Sequence, residues 1–504
     1  MPAFPLPDDP SFEQLRKQAK DVRDLARAGV PGAMELVAAH HPRGAHPVTL
    51  AGAQLVVARH YGFGSWARLK RHLRTIERYR RAPDEVPEPA EPGDRFLALA
   101  CLRYGGDDTP DRWNRAAHLL AEHPEITRSG IHIAAAAADA EATEALLCAD
   151  PSLASREGGP YRWEPLLYLA YARHAQAVSA AATLATARLL LECGADPNAG
   201  YLWHGLTTPF TVLTGALGSG EGDQPEHRHG PALAALLLDA GADPNDGQAL
   251  YNRQFGEDDR HLVLLLEHGL GRGDGGPWRA RLGHATDSPA ELMRGQLWWA
   301  LVHDMRDRVR LLVEHGADYL SPFRAHGGRP SGLRASHGRT PAEVAALAGC
   351  PELADWLVAQ GAQRPAAEGA DGLIAAVLSD DRPTVERLRQ HAPEARDQRP
   401  ALIVWAAARR KRAAIPLLTG LGFDVNALGR TDIPMEQAWE TALHQAAAQG
   451  DVELGRLLLD LGADPAISDA RFGSTPLGWA RHFGQPAMIA LLEPFASAPG
   501  QDQS

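Results

Sequence analysis

Residues 441–469 read TALHQAAAQGDVELGRLLLDLGADPAISD, and each part of that stretch has a physical job. Thr441 is placed to N-cap a first helix. The alanines after it keep that helix thin, and Gly450-Asp451 makes a turn. Leu457–Leu459 give a second helix an apolar edge that only a neighbouring unit buries. Gly462 ends that helix, because the chain there needs a left-handed residue. Asp464-Pro465 then starts an extended finger. The stretch is one hairpin unit with an unburied face.

Its closing phrase recurs as LLLECGADPNA (189–199), LLLDAGADPND (236–246), LLLEHGLGRGD (264–274) and LLVEHGADYLS (311–321). Catalytic sites are written once, so a phrase written five times marks a structural unit. In GSTPLGWA (473–480), Thr475 is a second N-cap, with Pro476 at the tolerant first helical position.

The whole frame resembles the ankyrin repeat, whose pattern is roughly T-P-L-H-x-A-A, a turn, a helix ending L-L-L, then G-A-D-x-N. That resemblance implies an all-α repeat solenoid of helix-turn-helix units with extended or β-turn fingers, and a period of about 33 residues. The phrase's glycines fall at 194, 241, 269, 316, 361, 422 and 462, with spacings of 47, 28, 47, 45, 61 and 40. Insertions at 215–231, 273–289 and 321–339 account for the longer spacings, and the 61 hides a unit at 371–397 that lacks its glycine. With two degenerate units at 94–128 and 130–156, about eleven units are expected over 94–497, followed by a disordered tail at 498–504. In this reading His444 orders its helix start through hydrogen bonds.

A separate piece precedes the array. Ser11 and Gln14 suit a capping box, and Leu15, Ala19, Val22 and Ala26 share one helical face. Further helices are expected at 31–40, at 50–60 after Thr49, and at 66–80 after Ser65. Residues 82–93, APDEVPEPAEPG, read as a stiff solvated linker. The expected division is therefore a basic helical module at 1–81, a linker at 82–93, and the array. The stretches AQLVVARHYGFGSWARLKRHL, GYLWHGLTTPFTVLTGALG and GADPNDGQALYNRQF are similar to those of bacterial, largely actinobacterial, ankyrin proteins, a resemblance that implies the fold and little about function.

Charge is segregated. Residues 11–81 carry fourteen Arg/Lys against five Asp/Glu, a balance of +9 in a chain of net charge −12, which leaves −21 elsewhere. Only four of the 51 basic residues are Lys, a skew that reads as coding bias in a GC-rich genome. The four Cys are far apart and lack CxxC spacing, so neither a zinc knuckle nor a disulfide framework is expected. The amino terminus has no charged and apolar leader, and no run is long enough to span a bilayer. A cytoplasmic setting without membrane attachment is expected.

No phosphate-binding loop, zincin helix or nucleophile elbow is present. GFGSWA (62–67) follows a helix rather than a strand, so it is no dinucleotide fingerprint. His40, His41 and His46, and His227 with His229, lack metal-ligand spacing and read as solvated loop histidines. No catalytic residue, metal, cofactor or small-molecule substrate is expected. The 49–81 segment has helix-turn-helix proportions, with Arg68, Lys70, Arg71, Arg74 and Arg78 available to phosphates. Yet Trp66, Leu69, Leu73 and Ile76 form the buried stripe, so the cations also fit the wet side of a helical cap.

The finger segments carry aromatics and arginines, the residue types enriched at binding hot spots. Tyr161, Trp163, Tyr201, Trp203, Tyr251 and Arg253 lead the expected protein-binding set, joined by Phe323, Arg324, Arg471 and Phe472. The competing expectation, for about half of them, is that each aromatic caps the core gap beside its own insertion. The sequence thus points to a non-catalytic scaffold holding protein partners along a concave face and finger tips. The alternatives are a nucleic-acid-linked regulator using the basic helix, and an enzyme whose site is built from the insertions.

Overall fold

Helix starts follow the caps read from the sequence. The computed structural model describes residues 6, 10–42, 48–174, 178–222, 224–324, 336–432 and 437–495. His46, residues 325–335 of the third insertion, and the expected tail at 498–504 lie outside the described residues. Among the described residues there are 28 α-helices and three short strands. None of these helices is long and apolar enough to cross a membrane.

The amino-terminal helices are Phe12–Arg27, Pro31–His40, Leu50–His60 and Trp66–Tyr79. Thr49 and Ser65 accept backbone N–H groups of Gly52 and Arg68 at 3.1 and 3.2 Å. Leu15, Ala19, Val22, Ala26, Val56, Val57, Leu69 and Leu73 form one buried cluster, with Trp66 packed at its edge. Ile76 belongs elsewhere: it packs with Leu202, Trp278 and Leu282 of the chain that follows.

Paired helices then repeat. In order they are Pro92–Ala100 with Pro110–Glu122, Ile131–Ala136 with Ala140–Ala149, Pro165–Tyr171 with Ala180–Glu192, Val212–Leu217 with Gly230–Asp239, and Gly247–Arg253 with Arg260–Glu267. Pro289–Val302 with Arg306–Glu314 follows. The last five are Pro341–Ala348 with Pro351–Ala359, Gly369–Leu378 with Arg382–Leu388, Leu402–Ala408 with Ala414–Gly420, Ala442–Gln449 with Val452–Asp460, and Pro476–His482 with Pro486–Leu492. First helices touch the next first helix, as Ile131–Ala136, Pro165–Tyr171, Val212–Leu217 and Gly247–Arg253 do in succession. Leu402–Ala408, Ala442–Gln449 and Pro476–His482 repeat the pattern. Each thin alanine-rich helix is thereby buried by its neighbours.

The seven phrase glycines all adopt a left-handed conformation, with φ from 83° to 103°. At Gly462 the following Ala463 N–H reaches back to the Leu458 carbonyl at 2.9 Å, satisfying a helix end. A Cβ added there meets nothing within 4 Å, so the only penalty would be backbone strain. Gly462→Ala is expected to cost about 1–2 kcal/mol in urea unfolding; no measurable change would mean the helix ends some other way.

The chain divides into two compact units with a break at Gln296–Leu297, and the proline-rich stretch 82–93 lies within the first. That stretch is not simply solvated. Arg80–Arg81 form strand β1, which pairs in parallel with β2, Gly200–Trp203, and β2 pairs antiparallel with β3, Phe210–Thr211. Pro83 is buried, and the Pro83 and Val86 carbonyls accept from the Arg103 guanidinium at 3.4 and 3.2 Å. A proline segment has carbonyls to spare, and a guanidinium satisfies them.

Arginine does this repeatedly. Arg173 donates to the carbonyls of Ala170, Gly215 and Pro225 at 3.0, 2.6 and 2.8 Å. Arg409 lies over the Trp405 ring at 3.3 Å and donates to Val302 and Thr431 carbonyls, both at 3.1 Å. Five N–H groups on a plane can join several helix ends, which lysine's point charge cannot. Whatever coding bias underlies the arginine excess, part of it is structural.

Candidate protein-binding surface

The finger at 157–163 is a tight turn closed by paired backbone bonds between Gly158 and Trp163 at 3.0 and 3.2 Å. Its aromatics point inward. Tyr161 is 2 % exposed and Trp163 1 %. The Tyr161 hydroxyl donates to the Ala98 carbonyl at 2.9 Å, and burial raises its pKa well above the usual value. Trp163 packs on Tyr201, Tyr171 and Tyr168 with ring centroids 4.9, 5.1 and 5.3 Å away. Tyr201, 1 % exposed, stacks in turn on Phe210 at 5.6 Å. These three fill the gap beside their own fingers and offer a partner almost no side-chain surface. Phe323 is fully buried too, with its N–H bonded to the Arg339 carbonyl at 2.8 Å.

The chain's own segment 78–108 covers the fingers of the first unit. Arg81 reaches Glu157 at 3.1 Å, and the Arg81 carbonyl accepts the His204 N–H at 2.8 Å. His204 pairs with Asp84 at 2.8 Å. Trp203, half-buried, donates its indole N–H to the Arg103 carbonyl at 3.2 Å. Asn252 donates to the Tyr104 hydroxyl at 2.8 Å. Contacts across 100 or more residues were invisible in the local pattern that put Trp203 on an open tip.

Other expected residues do face solvent. Tyr251 is 40 % exposed, bonds Glu221 through its hydroxyl and meets Phe255 edge-on at 5.3 Å. Arg253 beside it is committed: it bridges Glu226 and Asp258 at 3.0 and 3.2 Å. Arg324 is exposed. Arg471 is exposed and Phe472 is 68 % exposed, more than any other large apolar side chain among the described residues. Asp469, itself 3 % exposed, holds their loop by accepting the Arg471, Phe472 and Ser474 N–H groups at 2.9, 2.5 and 3.0 Å. Burial pushes its carboxyl up, but these backbone bonds together with the Trp479 indole N–H bring it below the usual carboxylate range. Sequence reasoning missed Trp439 and Arg430 on the preceding finger, where Arg430 and Arg471 lie 4.1 and 4.9 Å from the indole. A Trp and an Arg in GRTDIPMEQAWE (429–440) were the available signal.

On the basic helix, Arg68, Arg71 and Arg74 are exposed and Lys70 lies over the Phe12 ring at 5.4 Å. Arg78 is not open to phosphate in the same way, because Glu157 holds it at 2.7 Å.

His229 donates its Nε2–H to the Val178 carbonyl, 2.8 Å away, and His227 is buried. Both are therefore packed rather than solvated. No group of three or more metal-ligand residues occurs among the described residues. His444, fully buried, bonds the Thr441 hydroxyl and the Ser474 carbonyl, both at 2.9 Å, and burial lowers its pKa. A neutral ring with one accepting and one donating nitrogen suits that capping role. A cavity of about 250 Å³ is lined by residues including Leu217, Val263, Glu226, Arg253, Asp258 and Arg260. Its arginines are already paired with its acids.

No curated protein matches the chain. Residues 443–493, which span the last two helix pairs, match the family model described as Ankyrin repeats (many copies), so this part of the chain is similar to ankyrin repeats.

Proposed function

We propose that the chain is a non-catalytic scaffold that holds a protein partner, with the helix pairs stacked as a solenoid and the finger tips supplying specificity. Ankyrin repeats generally mediate protein–protein interaction, and the matched repeats support that class of activity. The observation that carries the reading is the pairing of exposed rings with fixed backbone at Phe472 and Tyr251: preorganised aromatic side chains lose little entropy on binding. The cysteines are free, with Cys101 and Cys350 buried, which fits a reducing bacterial cytoplasm.

The test uses the full chain and its co-purified partner in a titration calorimeter. Tyr251→Ala with Phe472→Ala is expected to weaken binding at least about tenfold, since hot-spot aromatics carry most interface energy. The thermal unfolding midpoint should stay within a degree or two, as surface changes seldom exceed about 0.5 kcal/mol. Unchanged affinity would remove the fingers from the interface.

One observation favours the nucleic-acid alternative: Arg68, Arg71 and Arg74 share an exposed face of one helix. It predicts full-chain DNA binding that falls steeply with salt and is lost in the Arg68→Glu/Arg71→Glu/Arg74→Glu variant. A flat salt response would leave that helix as a cap.

A further inference from the structure

We propose that the fingers of the second unit form a carboxylate-reading site. The Arg471 guanidinium, seated on Trp439 and Phe472, binds a glutamate or aspartate of the partner protein, while the Phe472 ring packs on an apolar residue beside it. This rests on the protein-binding reading above and specifies the partner's chemistry.

Two fingers are joined to make the platform. Gly429 and Glu440 exchange backbone bonds at 2.8 and 3.1 Å, closing the hairpin that carries Trp439. The Trp439 carbonyl then accepts the Ala470 N–H at 2.7 Å, tying that hairpin to the next finger. Asp469 fixes the direction of the second loop and also accepts the Trp479 indole N–H at 3.0 Å. On this base the Arg471 Cζ lies 4.9 Å from the Trp439 ring and 5.1 Å from the Phe472 ring. Contact with aromatic rings holds a guanidinium in place while its N–H edges stay available.

The charges select the ligand. Arg430 lies over the same indole but is neutralised by Asp432 at 2.5 and 2.6 Å and bonded to Gln437 at 2.9 Å. Arg471 makes no ion pair among the described residues. One uncompensated cation, in a chain of net charge −12, suits a single carboxylate, which a guanidinium meets with two parallel hydrogen bonds. A phosphate dianion calls for more positive charge than this site has. The Phe472 ring, 68 % exposed, supplies the adjacent apolar contact.

The test is fluorescence anisotropy of the full chain with a fluorescein-labelled octapeptide carrying glutamate followed by leucine in a glycine–serine background. Two analogues replace the glutamate with glutamine or phosphoserine. The glutamate peptide is expected to bind about tenfold more tightly than the glutamine peptide, the loss typical of a missing charge-assisted pair. Arg471→Gln should erase that difference, Arg471→Lys should keep part of it, and Phe472→Ala should weaken both peptides alike. The comparison of peptides on the unaltered chain needs no variant, so a folding defect cannot obscure it. Equal binding of glutamate and glutamine peptides, or no binding by either, overturns the site. So does discrimination that survives Arg471→Gln. Tighter binding of the phosphoserine peptide would replace it with a phosphopeptide site. If these fail while Tyr251→Ala with Phe472→Ala still weakens the co-purified partner, only the carboxylate assignment is lost.

Discussion

Replacing Arg112 with methionine is expected to cost about 3–5 kcal/mol, because it strips the counter-charge from a buried carboxylate. The side chains of Arg112 and its partner Asp108 are 6 % and 3 % exposed. The guanidinium also donates to the carbonyls of Ala98, Cys101 and Asp107 at 2.7, 2.8 and 3.1 Å. It therefore joins the end of the Pro92–Ala100 helix to the loop that covers the first unit's fingers. Burial already raises the Asp108 pKa, and the Arg112 charge is the largest influence holding it down. Without that charge the carboxyl would take up a proton or unfold the loop. Urea unfolding followed by circular dichroism reads the loss. Arg112→Lys should recover only part of it, since an ammonium cannot span three carbonyls at once. Asp108→Asn added to Arg112→Met should be milder than Arg112→Met alone, because the orphaned charge is then gone. A loss under about 1 kcal/mol would show that water enters and replaces the network.

Trp163→Ala should be comparably severe, at about 3–5 kcal/mol, the usual cost of emptying a large aromatic site in a core. Its indole N–H has no hydrogen-bond partner among the described residues, so the loss is one of packing. Trp163→Phe should retain much of the stability for the same reason. Urea unfolding again provides the reading. Normal stability with impaired partner capture would return Trp163 to the recognition surface where the sequence first suggested it belonged.

That contrast shows what local sequence can reveal. Thr441, Gly450 and Gly462 act within one hairpin, so their roles are set by neighbours a few residues away. Helix starts at Thr49, Ser65 and Thr475 were legible for the same reason. Tyr161 and Trp203 were not: their fates depend on the carbonyls of Ala98 and Arg103, 63 and 100 positions away. An aromatic in a finger looks the same in sequence whether it faces solvent or another part of the chain. The proline stretch misled similarly, because proline composition predicts stiffness but not which guanidinium will take its carbonyls. Arg471 and Phe472 were legible as candidates, while their indole platform, Trp439, lies 32 positions before Arg471 and meets it only on folding.

If the helix pairs are an array stabilised by nearest neighbours, damage to one pair should stay local. Native-state hydrogen exchange by mass spectrometry on Gly462→Ala tests this directly. Lost protection is expected in Ala442–Gln449, Val452–Asp460, Pro476–His482 and Pro486–Leu492, with Pro341–Ala348 and Pro351–Ala359 unchanged. An equal loss of protection across all of these helices would mean one indivisible core and would contradict the stacked-hairpin account.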